Sequence, residues 1–177
     1  MEKHPFGFAG KTVHLVGPRL KVGDKAPDFK CHKFVPGTGM VEVTLKDAHG
    51  GKATLFSVVP SLDTPVCSTQ TQKFNQHLAN LAGKAMCYTV SCDLPFAQNR
   101  FCGEATHKIE NLSNLSDYRD RSFGQAYGVL IEELGILSRA VFVVDKDGTL
   151  TYVEYVPEAK AEPNYEAALA ALKQAAG

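Results

Sequence analysis

The sequence has no excess of charge of either sign. Its 177 residues include 19 Lys and Arg and 19 Asp and Glu, and no cluster of basic residues is longer than two. A polyanion-binding face is therefore not indicated, and nucleic acid is not expected as a partner. The sequence also lacks an apolar run of about 18 residues and an N-terminal apolar signal segment. We expect no membrane partner and no secretion, and we predict a cytoplasmic location.

Cysteine is sparse and odd in number. The five cysteines are Cys31, Cys67, Cys87, Cys92 and Cys102. An odd count, in a chain of this length without a secretion signal, argues against a disulfide scaffold. Each thiol is therefore expected to be an inert core residue, a metal ligand or a reactive group.

Two short apolar runs, 53–59 and 85–91, predict central strands buried on both faces. Between them, Phe74, Leu78 and Leu81 recur at helical spacing, which predicts an amphipathic helix. Four further elements follow from turn signals and periodicity: a hairpin of 12–16 and 20–22, a helix within 116–128, a hairpin of 140–145 and 149–156, and a last helix opened by Pro163.

This order of elements predicts the fold class. A β-rich start, a βαβα centre and a ββα end are typical of an α/β protein with a mixed central sheet flanked by helices. We predict a thioredoxin-like fold in a single domain, 1–177, with an N-terminal β-hairpin extension at 1–22. The length suits one domain with a substantial core.

Three cysteines and a histidine raise the alternative of a structural zinc-binding domain. Cys87, Cys92, Cys102 and His107 follow a C-x4-C-x9-C-x4-H spacing. Cys87 and Cys92 are five positions apart along a predicted strand, so they should point to opposite faces of the sheet. No close C-x2-C pair is present to anchor zinc. We predict no metal and no other cofactor, and keep the zinc domain as an alternative.

The surroundings of Cys67 differ from those of the other thiols. The segment 60–68 reads P-S-L-D-T-P-V-C-S, in which Asp63 or Thr64 can cap a helix that begins at Pro65. Cys67 then lies in the first helical turn, where unpaired backbone N–H groups and the helix dipole stabilise an anion. A thiolate, the nucleophilic form of cysteine, is favoured there. The alternative is a small apolar residue that packs the helix onto the sheet.

Several long motifs carry a resemblance to a known family. The segment 60–67 contains P-x-x-x-T-x-x-C, the peroxiredoxin signature. The string D-L-P-F-A-Q-N-R-F-C-G at 93–103 resembles the thiol peroxidase branch of the peroxiredoxins. Q-A-Y-G-V at 125–129 and E-P-N-Y-E-A-A-L at 162–169 do so as well. The resemblance covers nearly the whole chain.

The resemblance implies a role for five residues. Cys67 is similar to the peroxidatic cysteine and Cys102 to the resolving cysteine of atypical two-cysteine enzymes. Thr64 and Pro60 occupy the signature positions, and Arg139 matches the arginine that completes the pocket. Without the resemblance, Arg139 can equally be a surface arginine before a strand, and Thr64 a plain helix cap.

The chemistry of these side chains suits peroxide reduction. A threonine hydroxyl is both donor and acceptor, so Thr64 can orient a peroxide beside the sulfur. An arginine fork such as Arg139 can stabilise the thiolate and share the charge that develops in the transition state. Pro60 has no N–H, and in the family it helps to shield the pocket from water.

The implied function is that of an antioxidant oxidoreductase acting on hydrogen peroxide and organic hydroperoxides. A sulfenic acid on Cys67 would condense with Cys102 to an intrachain disulfide, and thioredoxin would reduce it. The resemblance also implies a homodimer. The alternative is a peroxide sensor or redox-relay protein that uses the same two cysteines.

Overall fold

The computed structural model describes residues 2–177, and within them the chain forms ten β-strands and five α-helices. The strands are β1 Lys3–Phe8, β2 Lys11–Val16, β3 Lys30–Val35, β4 Gly39–Thr44, β5 Ala53–Val58, β6 Ala85–Ser91, β7 Ser113–Ser116, β8 Leu130–Ile131, β9 Ala140–Val144 and β10 Leu150–Tyr155. The helices are α1 Leu45–His49, α2 Pro65–His77, α3 Pro95–Gly103, α4 Ser122–Ala126 and α5 Tyr165–Ala176. Among the described residues, no helix has the length and apolarity needed to cross a membrane.

Seven strands form a central sheet in the order β10-β9-β5-β6-β7-β3-β4. The β5–β6 and β6–β7 pairs are parallel, whereas the other neighbours are antiparallel. A separate three-stranded sheet, β1-β2-β8, contains the N-terminal hairpin. The predicted mixed sheet with an N-terminal hairpin is therefore confirmed.

Helices cover both faces of the central sheet because its middle strands are apolar on both sides. In β5, Leu55 packs with Phe74 of α2 and Leu169 of α5, whereas the next residue, Phe56, packs with Phe123 of α4 on the opposite face. All six residues of β5 are buried. The continuous apolar run at 53–59 is thus a strand buried on both faces, as predicted.

The prediction for the pairing of the N-terminal hairpin is wrong. The strands are β1 and β2, joined by a two-residue turn in which Ala9 and Gly10 both have positive φ (50° and 75°). That conformation matches the twist of paired strands. Gly17 instead follows β2 and approaches the Gln125 carbonyl so closely that a Cβ would lie 2.3 Å from its oxygen. Residues 20–22 form no strand.

The prediction of a helix within 116–128 holds only for its centre. Residues 113–116 form the short strand β7, and α4 covers only Ser122–Ala126. The carboxylate of Asp117 accepts the backbone N–H groups of Phe123 and Gly124, at 3.1 and 2.7 Å. The buried Asp117 side chain thus accepts the backbone N–H groups at the start of α4, and the residues before Ser122 are not helical.

Candidate active site

Cys67 lies in the first turn of α2, directly after the central strand β5. Thr64 occupies the N-cap position and Pro65 is the first helical residue. The helix begins with the backbone N–H of Ser68 donating to the Thr64 carbonyl at 3.0 Å. The Cys67 side chain is fully buried and its thiol is free. The predicted start of the helix is confirmed, and the Cys67 side chain lies in the turn whose backbone N–H groups have no partner within the helix.

Arg139 reaches the same place from the neighbouring strand. In the antiparallel β5–β9 pair, Val58 lies opposite Ala140, so Arg139 sits beside the end of β5. Its Nη2 atom donates to Cys67 Sγ at 3.4 Å. Its exposure is only 1%, which excludes the alternative of a surface arginine.

The guanidinium of Arg139 is held in a fixed orientation. Nη1 donates to Gln70 Oε1 at 2.7 Å and Nε donates to the Ala159 carbonyl at 3.0 Å. Gln70 is itself fixed, because its Nε2 atom donates to Ser57 Oγ at 2.7 Å. Of the three groups that accept from Arg139, only the Cys67 sulfur can carry a full negative charge. The arrangement therefore directs the arginine charge at the Cys67 sulfur.

Thr64 is exposed, and its hydroxyl donates to the Ser61 carbonyl at 2.9 Å. It makes no side-chain hydrogen bond to the helix, so the prediction that Thr64 caps α2 is right in position and wrong in bonding. The turn before the helix is anchored elsewhere. Ser61 Oγ and the Leu62 N–H donate to the two carboxylate oxygens of Asp93, at 2.7 and 2.8 Å.

An open cavity of about 450 Å³ lies over this end of α2. Its walls include Pro60, Thr64 and Arg139, together with Phe8 of the N-terminal hairpin and Val66. Cys67 accepts a hydrogen bond from Arg139, one of the residues that line the cavity. Four of the five residues predicted for the site therefore lie together. Apolar side chains, such as those of Phe8 and Val66, thus surround the polar groups of this cavity.

The fifth residue, Cys102, lies on α3 and is half-buried with a free thiol. It packs against the apolar cluster of Val59, Leu62, Phe101 and Ile109, which also contains Cys67. Burial raises the pKa of the Cys102 thiol to about 11, while a hydrogen bond from Asn114 Nδ2, at 3.0 Å, lowers it. The two cysteines thus contact one cluster without being bonded to each other.

The remaining cysteines lie apart from this cluster. Cys31 is buried and Cys92 half-buried on one face of the sheet, and both are close to Asp117. Burial raises the pKa of Cys92 to about 12 and that of Cys31 well above its usual range. Cys87 is buried on the opposite face, where desolvation also raises its pKa strongly. The predicted separation of Cys87 and Cys92 is confirmed.

The zinc alternative finds no geometric support. Cys87 and Cys92 are on opposite faces, and the Nδ1 atom of His107 lies 2.9 Å from the Phe101 carbonyl. Within residues 2–177, no three His, Cys, Asp or Glu side chains are placed to hold a metal ion.

Three residues at this site were not predicted from the sequence. Gln70 follows Cys67 by one helical turn, so its position on the same face of α2 was a usable signal. Ala159 contributes only a backbone carbonyl, which no side-chain pattern reveals. Asn114 meets Cys102 through the packing of α3 on β7, a tertiary contact without a local signature.

The Cys67 thiol lies at a helix N-terminus and accepts a hydrogen bond from a buried arginine, next to a central sheet flanked by helices. This combination is typical of proteins that use a reactive cysteine in redox chemistry. The Redoxin family model matches residues 21–169. A thiol peroxidase of Halalkalibacterium halodurans is 53% identical over 95% of this chain and 96% of its own. A thiol peroxidase of Bacillus subtilis is 49% identical over 94% and 95%.

Solved structures agree with this relationship. The crystal structure of a peroxiredoxin-like protein from Aquifex aeolicus superposes with a TM-score of 0.84 and 41% identity, over 98% of this chain and 99% of that one. The predicted thioredoxin-like fold is confirmed. The chain belongs to the redoxin family, among its peroxiredoxin-type thiol peroxidases.

Proposed function

We propose that this protein reduces hydrogen peroxide and organic hydroperoxides through Cys67, with Cys102 as the resolving thiol and thioredoxin as the reductant. The observation that carries the proposal is the bond from Arg139 Nη2 to Cys67 Sγ. It pairs a buried cation with a sulfur at a helix N-terminus, and both features stabilise negative charge at that sulfur and on the oxygens beside it. The thiol peroxidase relatives support the same activity.

In the first step, the Cys67 thiolate attacks one peroxide oxygen and the O–O bond breaks. The leaving oxygen takes a proton and departs as water or an alcohol, and Cys67 becomes a sulfenic acid. Arg139 shares the charge that develops on the oxygens. The Thr64 hydroxyl, at the cavity wall, orients the peroxide, and Pro60 limits the access of water.

In the second step, the Cys102 sulfur attacks Cys67, the S–O bond breaks, and the hydroxyl group leaves as water. Because α3 carries Cys102 in a folded helix, the two sulfurs meet only when that helix opens locally. The resulting intrachain disulfide is opened by thioredoxin thiols, which restores both cysteines.

Turnover and disulfide mapping test the proposal. Purified protein with thioredoxin, its reductase and NADPH should consume peroxide steadily. Cys67→Ser should abolish turnover, and Cys102→Ser should react once and stall. Cys92→Ser, which removes another half-buried thiol, is the matched control and should retain turnover.

Peptide mapping after one equivalent of peroxide should find a Cys67–Cys102 bond. A bond from Cys67 to any other cysteine would refute the resolving role. A burst of oxidation without steady turnover would instead identify the protein as a peroxide sensor or redox relay. The single domain, the homodimer and the cytoplasmic location stay predictions.

A further inference from the structure

The carboxylate of Asp93 ties the turn before Cys67 to the end of β6. Its Oδ1 atom accepts the Ser61 hydroxyl at 2.7 Å, and its Oδ2 atom accepts the Leu62 N–H at 2.8 Å. Both donors lie in the signature segment 60–67. One side chain from another part of the chain thus holds two successive residues of the turn that leads into the active-site helix.

The same turn fixes the hydroxyl of Thr64. The Ser61 carbonyl accepts the Thr64 N–H at 3.1 Å and the Thr64 hydroxyl at 2.9 Å. A threonine hydroxyl has one proton and two lone pairs, so this bond leaves its oxygen able only to accept a further hydrogen bond. A hydroperoxide carries the O–H group that such an acceptor needs. The place of the Thr64 oxygen therefore depends on Ser61, and through Ser61 on Asp93.

Asp93 is itself held by groups outside α3. Its carboxylate also accepts the Ser91 hydroxyl at 2.7 Å, and its carbonyl accepts the Ser116 hydroxyl of β7. The helix begins only afterwards, at Pro95. The tie from Asp93 to the turn before Cys67 is therefore present in the folded enzyme that meets peroxide, and it is compatible with the later opening of α3.

We propose that Asp93 is a positioning residue for the first step, which places the Thr64 hydroxyl through Ser61. The inference rests on the proposed function of Cys67 and Thr64. In that step the Cys67 thiolate forms an S–O bond with the O–H oxygen of the hydroperoxide while the O–O bond breaks. The leaving oxygen takes up a proton and departs as water or an alcohol. Thr64 accepts the O–H of the oxygen under attack, and Asp93 keeps that acceptor in place.

The donors around the Asp93 carboxylate are all neutral: two serine hydroxyls and one backbone N–H. An asparagine can reproduce this pattern, because its Oδ1 atom can accept from Leu62 and Ser91 while its NH₂ group donates to the Ser61 oxygen. A leucine of similar size reproduces none of it. The two substitutions therefore separate the loss of the hydrogen bonds from the loss of the charge.

The first test measures sulfenic acid formation with hydrogen peroxide in a Cys102→Ser background, by trapping with dimedone. Asp93→Leu should lower the second-order rate constant by about tenfold, and Asp93→Asn should stay within about threefold of the parent. Asp28→Leu is the matched control, because Asp28 also accepts the N–H of another segment, at Leu45, and lies outside the walls of the cavity over Cys67. A parental rate in Asp93→Leu, or an equal loss in Asp28→Leu, would overturn the proposal.

The second test asks whether Asp93 acts through Thr64. In a Thr64→Val background the hydroxyl is absent, so Asp93→Leu should change the rate constant by no more than about twofold. An equal loss in both backgrounds would overturn the proposal, as would a Thr64→Val variant with the parental rate. Alkylation of Cys67 by iodoacetamide involves no peroxide and should proceed in Asp93→Leu at the parental rate. A loss as large as that seen with peroxide would indicate general distortion of the site and would also overturn the proposal.

Ser61→Ala serves if the leucine variant does not fold. It removes one of the two bonds to the turn, so the rate constant with peroxide should fall by about threefold. The same substitution in the Thr64→Val background should have no effect. A parental rate in Ser61→Ala, or the same loss in both backgrounds, would overturn the inference. If the parent itself forms no sulfenic acid on Cys67, the proposed function fails instead.

Discussion

Replacing Arg139 with lysine separates the shape of the guanidinium from its charge. Arg139 donates at once to the Cys67 sulfur, the Gln70 amide oxygen and the Ala159 carbonyl. A lysine ammonium is a compact charge on a flexible stem and does not reproduce this planar fork. We expect Arg139→Lys to keep a positive charge near the site while the directed bond to the sulfur is lost.

The size of the effect follows from that one bond. A hydrogen bond to a charged group contributes about 1.5–3 kcal/mol, and here it joins the Arg139 cation to the buried Cys67 sulfur. At about 1.4 kcal/mol per tenfold change, its loss should slow the reaction of Cys67 with peroxide by roughly 10- to 100-fold. Arg139→Met, which also removes the charge and leaves two acceptors unpaired, should slow it further and lower stability.

The assay is a single turnover with hydrogen peroxide in a Cys102→Ser background, so that only the first step is observed. Sulfenic acid is trapped with dimedone at timed intervals and quantified by mass spectrometry. Arg19→Lys is the matched control, because Arg19 stacks on the Tyr155 ring, 4.1 Å from its centre. The control should react at the parental rate. An Arg139→Lys rate within threefold of the parent would refute the reasoning.

Three further predictions concern single side chains. Thr64→Val, which keeps the shape but removes the hydroxyl, should lower kcat/KM for peroxide by about tenfold, whereas Thr64→Ser should retain it, as steady-state assays will show. Burial raises the pKa of Asp117 from 3.8 to about 6, so the folded protein binds a proton at this side chain more tightly than the unfolded chain does. The resulting contribution to the free energy of unfolding is complete below pH 4 and is lost as the pH rises through 6. Urea unfolding at several pH values should show that the free energy of unfolding of Asp117→Asn rises relative to that of the parent by up to about 3 kcal/mol between pH 4 and 7. A difference between the two proteins that does not change with pH would contradict this. Gly128→Ala should lower the melting temperature by several degrees, because φ is 64° there and a Cβ would lie 2.0 Å from the Pro18 carbonyl oxygen; an unchanged melting curve would contradict the placement.

The central strands could be predicted from the sequence because a strand buried on both faces needs a continuous run of apolar residues. Residues 53–58 and 85–91 follow this rule. The start of α2 at Pro65 was equally readable, since proline and a preceding threonine are local signals. The N-terminal hairpin was placed wrongly because Gly17-Pro18 is a strong turn signal. In the fold, Gly17 instead permits a close approach to the Gln125 carbonyl.

The geometry of the site could not be predicted from local patterns. Cys67 and Arg139 are 72 positions apart and meet only because β5 and β9 pair in one register. Family motifs indicated both residues, but no periodicity indicated the bond between them. Gln70 and Asn114 are buried polar residues whose partners come from other elements. Such contacts depend on tertiary packing, which a single sequence does not state.

The N-terminal hairpin has a consequence for the order of folding. Gly7 of β1 exchanges backbone hydrogen bonds with the loop at 157–159, whose Ala159 carbonyl accepts from Arg139. The surroundings of the Cys67 sulfur therefore combine residues from near both ends of the chain. Contacts of such high sequence separation form late, because the entropy of closing long loops must be overcome first. During synthesis the Cys67 thiol is therefore made before Arg139 and the loop at 157–159, and the hydrogen bond from Arg139 to the Cys67 sulfur can form only after both have emerged.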